Sequence, residues 1–239
     1  MTAEERQNPI TRTARIAGLL YLAYFVAFFI ADNGVHSTSV GASDAAAVAS
    51  KIVTSEWLFR IGFVTFLLAA VLFLLSAWAL YVLLKPVNRD LALLFLLLNL
   101  GGVAVKCASL VLEFAAMLLL NHGDYLNVFP VDQLQALAIL LLNLYNIGFM
   151  IAQIFFGLWL LPLGYLVFKS GYLPKILGIL LIIDCFAILI WFFQFFLFPG
   201  YEGLSYPGLA VSFLAEAALC LWLVIWGVKG KKPVSVKAS

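Results

Sequence analysis

The chain alternates long apolar runs with short polar breaks, and the breaks are spaced as membrane crossings would require. Apolar stretches occupy about residues 16–31, 58–84, 91–120, 132–168, 174–198 and 209–228. A helix needs about 20 apolar residues to cross the hydrocarbon core, so each run predicts one transmembrane helix. The fold expected is therefore an all-α integral membrane protein with six spans. Asp32–Trp57 is the long polar connection, and Ser43 or Asp44 is placed to cap a helix through AAAVASKIVTSEW. Val48, Ile52 and Ser55 share a face of that segment, which reads as a short interfacial helix on the outer surface. A lid over a cavity is the sharper alternative.

Within the runs, polar residues fall at helical spacing. In the third, Asn99, Gly102, Lys106, Ser109 and Glu113 step by three and four, which places them on one face. In the fourth, Asn143, Asn146, Met150, Gln153 and Gly157 repeat the pattern, and the two stripes are expected to face one another. That fourth run would extend roughly 55 Å at about 1.5 Å per residue, more than one crossing needs. It should project from the membrane or bend, with Pro162 the first candidate bend and Asn146-Ile147-Gly148 the second.

Charge sets the expected orientation. A six-span chain with its N-terminus inside would have cytoplasmic segments holding Arg6, Arg12, Arg15, Lys85, Arg89, Lys169, Lys175, Lys229, Lys231, Lys232 and Lys237. The outer loops would hold Lys51, and Arg60 and Lys106 would lie within spans. This bias predicts both termini in the cytoplasm and a cytoplasmic-membrane location. Residues 1–15 then form a cytoplasmic lead, 16–228 the membrane domain and 229–239 a basic tail suited to anionic inner-leaflet lipids. The first run is long for a signal peptide and no small-x-small cleavage site follows, so it reads as an uncleaved helix. Composition agrees: of 239 residues 65% are hydrophobic and 11% charged, with a mean hydropathy of +1.09. The lipid bilayer is the partner this implies. The net charge of +2 gives no reason to expect nucleic acid.

An ionisable side chain at mid-bilayer costs about 2.5–3.5 kcal/mol on insertion scales and normally faces a partner or a wet cavity. The candidate ligand-binding or ion-pairing residues are therefore Arg60, Asn99, Lys106, Glu113, Asn143, Asn146, Gln153, Asp184 and Glu216. By depth, Lys106 should pair with Asp184 or Glu216, and Arg60 with Glu113 or Glu216. Two basic groups against three acids leave a carboxylate without a basic partner, a candidate proton carrier. Arg60, one turn inside its span, could instead snorkel to the headgroups.

No catalytic signature appears: no GxSxG, no HExxH, no phosphate-binding glycine loop and no paired-cysteine site. No catalytic residue, metal or cofactor is assigned. Cys107, Cys185 and Cys220 sit in apolar runs and read as inert thiols. His36 and His122, near Asp32 and Asp124, read as solvated loop residues rather than a zinc site.

Several short stretches carry a family resemblance: Arg15-Ile-Ala-Gly-Leu-Leu-Tyr-Leu22, Glu56-Trp-Leu-Phe-Arg60, Leu80-Tyr-Val-Leu-Leu-Lys-Pro-Val-Asn-Arg89, and Glu216 followed by Leu221-Trp-Leu. In these the chain resembles the bacterial membrane family of domain of unknown function 4386. The resemblance implies a multi-span membrane protein, supplies no catalytic residues and adds weight to Arg60 and Glu216. The function expected first is binding or transport of a small polar solute or lipid headgroup. A structural or regulatory protein whose ion pairs only fix packing is the second reading, and a lipid-modifying enzyme using buried carboxylates the third. No inverted repeat singles out alternating access.

Overall fold

The computed structural model describes residues 9–39, 52–121, 123 and 126–228. Its six long helices are α1 (Pro9–Ser39), α2 (Glu56–Leu84), α3 (Arg89–Leu120), α4 (Val131–Lys169), α5 (Lys175–Leu197) and α6 (Tyr206–Ile225), with one 3-10 turn at Glu202–Leu204. All six are long and apolar enough to cross a membrane. The protein is an all-helical multi-span membrane protein.

Local chemistry sets several of the ends. Asn88 Oδ1 accepts the Leu91 backbone N–H at 3.0 Å and so caps α3. Pro174 leads into α5, where its missing donor costs nothing. Gly171 turns the chain with φ +73, a conformation glycine adopts without strain. Ser170 Oγ accepts the Leu173 N–H at 3.2 Å in the same turn. Tyr172 Oη donates to Leu83 O at 2.6 Å and ties this turn to the end of α2.

One expectation changes, and of the two alternatives for the fourth span the structure takes projection. α1 begins at Pro9 and runs through Asp32, because nothing in Ala31-Asp32 breaks a helix already hydrogen-bonded behind it. α4 is unbroken across Pro162. Proline removes one donor from the ladder, and in a long apolar helix the remaining bonds carry the element through. At 39 residues α4 is about 58 Å long by the helical rise, so it projects beyond a hydrocarbon core of about 30 Å. The expected interfacial helix lies mostly outside the described residues, although its last turn, Ile52–Thr54, is helical. His122, Asp124 and the basic tail from Lys229 also lie outside them.

The chain divides into two compact units. The first comprises Met1–Ala23, Leu72–Val103 and Ile151–Ser239; the second comprises Tyr24–Val71 and Ala104–Met150. In the first, Trp159 is buried edge-on to Phe73, with centroids 5.1 Å apart. Here α4 and α5 meet through glycine: a Cβ on Gly164 would lie 2.7 Å from Gly178 O, and one on Gly178 would lie 2.5 Å from Gly164 O. Small residues allow this approach where apolar burial alone gives helices no reason to associate. In the second unit the core is Phe59, Phe66, Leu110, Met117, Leu142 and Tyr145. Exposed leucines, valines and phenylalanines such as Val71, Val111, Leu140 and Phe186 present the surface that lipid requires.

Gly178→Val should lower stability by about 1–3 kcal/mol through overpacking, visible as an earlier thermal unfolding transition in detergent. Gly171→Ala meets no neighbouring atom, so its loss of about 1–2 kcal/mol should come from the positive φ alone. Gly171→Asn should recover part of that loss.

Candidate functional site

The second unit gathers its polar residues around Lys106. The ammonium lies 4.8 Å from the Phe28 ring centroid, 5.0 Å from Phe66 and 5.1 Å from Phe149. Three ring faces give a cation the negative side of their quadrupoles in place of water. Asp32 and Glu113 act on the ammonium electrostatically, Asp32 the more strongly. Both carboxylates also act on Tyr145. Glu113 is fully buried, and neither of its carboxylate oxygens has a hydrogen-bond partner. The site thus holds a caged cation beside a carboxylate with unused acceptor capacity. The pairing expected for Lys106, with Asp184 or Glu216, gives way to Asp32 and Glu113, because α1 stays helical far enough to bring Asp32 into this unit.

Arg60 does not join that cluster. Its Nε donates to Glu56 Oε1 at 2.7 Å, one turn back on α2, and its guanidinium stands 5.7 Å from the Phe114 centroid. The expected partners were Glu113 or Glu216. A carboxylate four residues away on the same helix forms the pair at little entropic cost, and both side chains keep about two-fifths of their surface exposed. Asn143 and Asn146 are exposed, whereas Leu142 and Tyr145 turn inward from the same helix. Spacing put the asparagines on one face but not on the covered one. Ser109 Oγ donates to Val105 O at 2.8 Å and packs where Gly148 has no side chain.

The first unit brings another group together. Tyr21 Oη donates to Glu216 Oε2, joining α1 to α6. Asp184 on α5 acts electrostatically on Glu216 and lies against Ser212, one turn before Glu216 on α6. Asp184 is fully buried, and neither its oxygens nor Ser212 Oγ makes a hydrogen bond of good geometry. Asn99 and Gln153 belong to this unit and are buried; the Asn99 amide has no partner on either atom. The Cys220 thiol donates weakly to Gly18 O at 3.6 Å. A shallow apolar pocket of about 140 Å³ between Pro9, Ile10, Thr13 and Val82, Leu83, Pro86 involves none of the candidate residues.

Sequence reading missed Asp32, Tyr21, Tyr145 and the three phenylalanines around Lys106. Asp32 falls in the expected loop because the apolar run stops at Ala31, whereas the helix continues to Ser39. Tyr21 lies inside the motif Arg15–Leu22, where a hydroxyl in an apolar run was the available signal. Phenylalanine in an apolar run carries no signal of its own. Among the described residues no three His, Cys, Asp or Glu side chains converge on a metal site.

The family model described as Domain of unknown function (DUF4386) matches residues 16–227. An uncharacterized protein of Archaeoglobus fulgidus is 30% identical over 164 residues, which cover 66% of this chain and 79% of that protein. That relative is archaeal, so the similarity reaches beyond the bacteria to which the sequence resemblance pointed. No solved structure matches the chain.

Arg60→Ala should change stability by less than about 1 kcal/mol, as exposed pairs do. Lys106→Ala should cost about 2–3 kcal/mol, because it removes the ring contacts and leaves the buried Glu113 carboxylate facing apolar surroundings. Chemical unfolding of both variants in one detergent separates the two outcomes.

Proposed function

Since the chain belongs to the DUF4386 family, a family described as a domain of unknown function, we propose from the site itself that it binds a small polar solute or lipid headgroup among its membrane-spanning helices, the step from which transport would proceed. The observation that carries this reading is Glu113, fully buried with both oxygens unpartnered beside the caged Lys106. A buried acceptor left unmade costs about 1–3 kcal/mol, more when charged, and a ligand offering an ammonium, amide or hydroxyl donor would recover it. An intramembrane ionisable residue is by default a functional-site candidate. The structural reading keeps one supporting observation: three rings already close over the Lys106 ammonium, as dry packing would have them.

The same reading places the protein in the cytoplasmic membrane with both termini inside, following the bias of Lys and Arg toward one set of loops. The basic tail would then meet anionic lipids.

Native mass spectrometry of the protein released from lipid nanodiscs tests binding. The wild type should retain a bound small molecule or lipid that Glu113→Gln loses, with helix content and melting unchanged. Altered melting with identical bound masses would instead support the structural reading. A reporter fused after Ser239 should fluoresce as a cytoplasmic protein and show no activity as a periplasmic phosphatase.

A further inference from the structure

The group formed by Tyr21, Asp184, Ser212 and Glu216 is not used by the binding site around Lys106. Two carboxylates approach one another there: Asp184 is fully buried, Glu216 is half-buried, and the charge acting on Glu216 is that of Asp184. Among the described residues of this unit, the basic side chains Arg12, Arg15, Lys85, Arg89, Lys169 and Lys175 all stand in the first turns of α1 or at the ends of helices. The other titratable groups adjoining the pair are the thiols of Cys185, beside Asp184, and Cys220, beside Glu216. Neither supplies positive charge. Two carboxyl groups in low dielectric must take up protons or a counter-cation, and no basic group among the described residues of this unit lies beside them.

The donor atoms indicate what would serve. Tyr21 already donates to Glu216 Oε2, which fixes that carboxylate and leaves its second oxygen. Asp184, fully buried, presents two oxygens that make no hydrogen bond of good geometry, and Ser212 Oγ presents a third against it. An all-oxygen set selects a hard cation over a soft one. The set lacks what a divalent ion would need: magnesium demands near-octahedral coordination and calcium takes six to eight oxygens, whereas no third acidic group converges here among the described residues. Ser212 and Glu216 lie one turn apart on α6, so a single ion between α5 and α6 could touch both and Asp184 together.

We propose that Asp184, Glu216 and Ser212, with Glu216 held by Tyr21, form an intramembrane site that takes one monovalent cation, sodium, while the second carboxyl keeps a proton; a further proton is the ion's competing occupant. The site joins α5 to α6 through the ion and α1 to α6 through the phenol. Occupancy therefore stabilises the packing of these helices. It is built from different residues than the ligand site around Lys106, so either can fail without the other.

The test is thermal unfolding of the full chain in nanodiscs, in sodium chloride against choline chloride of equal ionic strength. At mildly alkaline pH sodium should raise the wild-type melting temperature above that in choline, and acidification should shrink the gap as protons take the carboxylates. Asp184→Asn and Glu216→Gln should each abolish the gap, and Tyr21→Phe should reduce it. Sodium-23 NMR of the wild type supplies a readout that needs no variant: specific line broadening, relieved by acid, is expected. Identical melting in sodium and choline at both pH values would overturn the proposal. So would a full sodium effect in Glu216→Gln, or sodium line widths matching those of empty nanodiscs.

Discussion

The cost of placing an ionisable group among apolar helices is the constraint on which the rest of this structure depends. Each such group needs compensation, and the chain supplies it in three different ways. Arg60 takes a carboxylate from its own helix and keeps part of its surface open. Lys106 takes three aromatic faces and the electrostatic influence of Asp32 and Glu113. Glu216 takes a phenol from α1. Glu113 and Asp184 remain without hydrogen-bond partners, and both functional readings begin from that shortfall.

Close packing makes these arrangements specific. In membranes, helices associate through tight contact and polar links rather than through apolar burial. Gly164 against Gly178, and Gly18 against the backbone of Val224, remove the side chains that would hold their helices apart. In the second unit Gly148 leaves room for Ser109 on α3, the helix that carries Lys106 and Glu113. The small residues thus bring helices to the distance at which ring faces and carboxylates can reach a buried charge.

Much of this architecture was legible from hydropathy alone, because a membrane makes helix the one option for an isolated apolar run. The six spans followed directly. What was not legible depended on which neighbour each face met. Asn143 and Asn146 matched the periodicity as well as Gln153 did, yet they are exposed and it is buried. Arg60 pairs with a carboxylate four residues away on its own helix, where matching by depth points to distant carboxylates. The Lys106 cage was invisible because phenylalanine is common in every span, and only tertiary packing distinguishes three of them.

The central claim is that Glu113 and Lys106 serve a ligand rather than packing alone. An experimental structure of the full chain in lipid tests it most directly, read for density at the Glu113 carboxylate. The account predicts non-protein density within hydrogen-bond distance of Glu113, beside an ammonium still ringed by Phe28, Phe66 and Phe149. Side chains closed dry around an unoccupied Glu113 would contradict it, and buried charge would then serve only to specify how these helices pack.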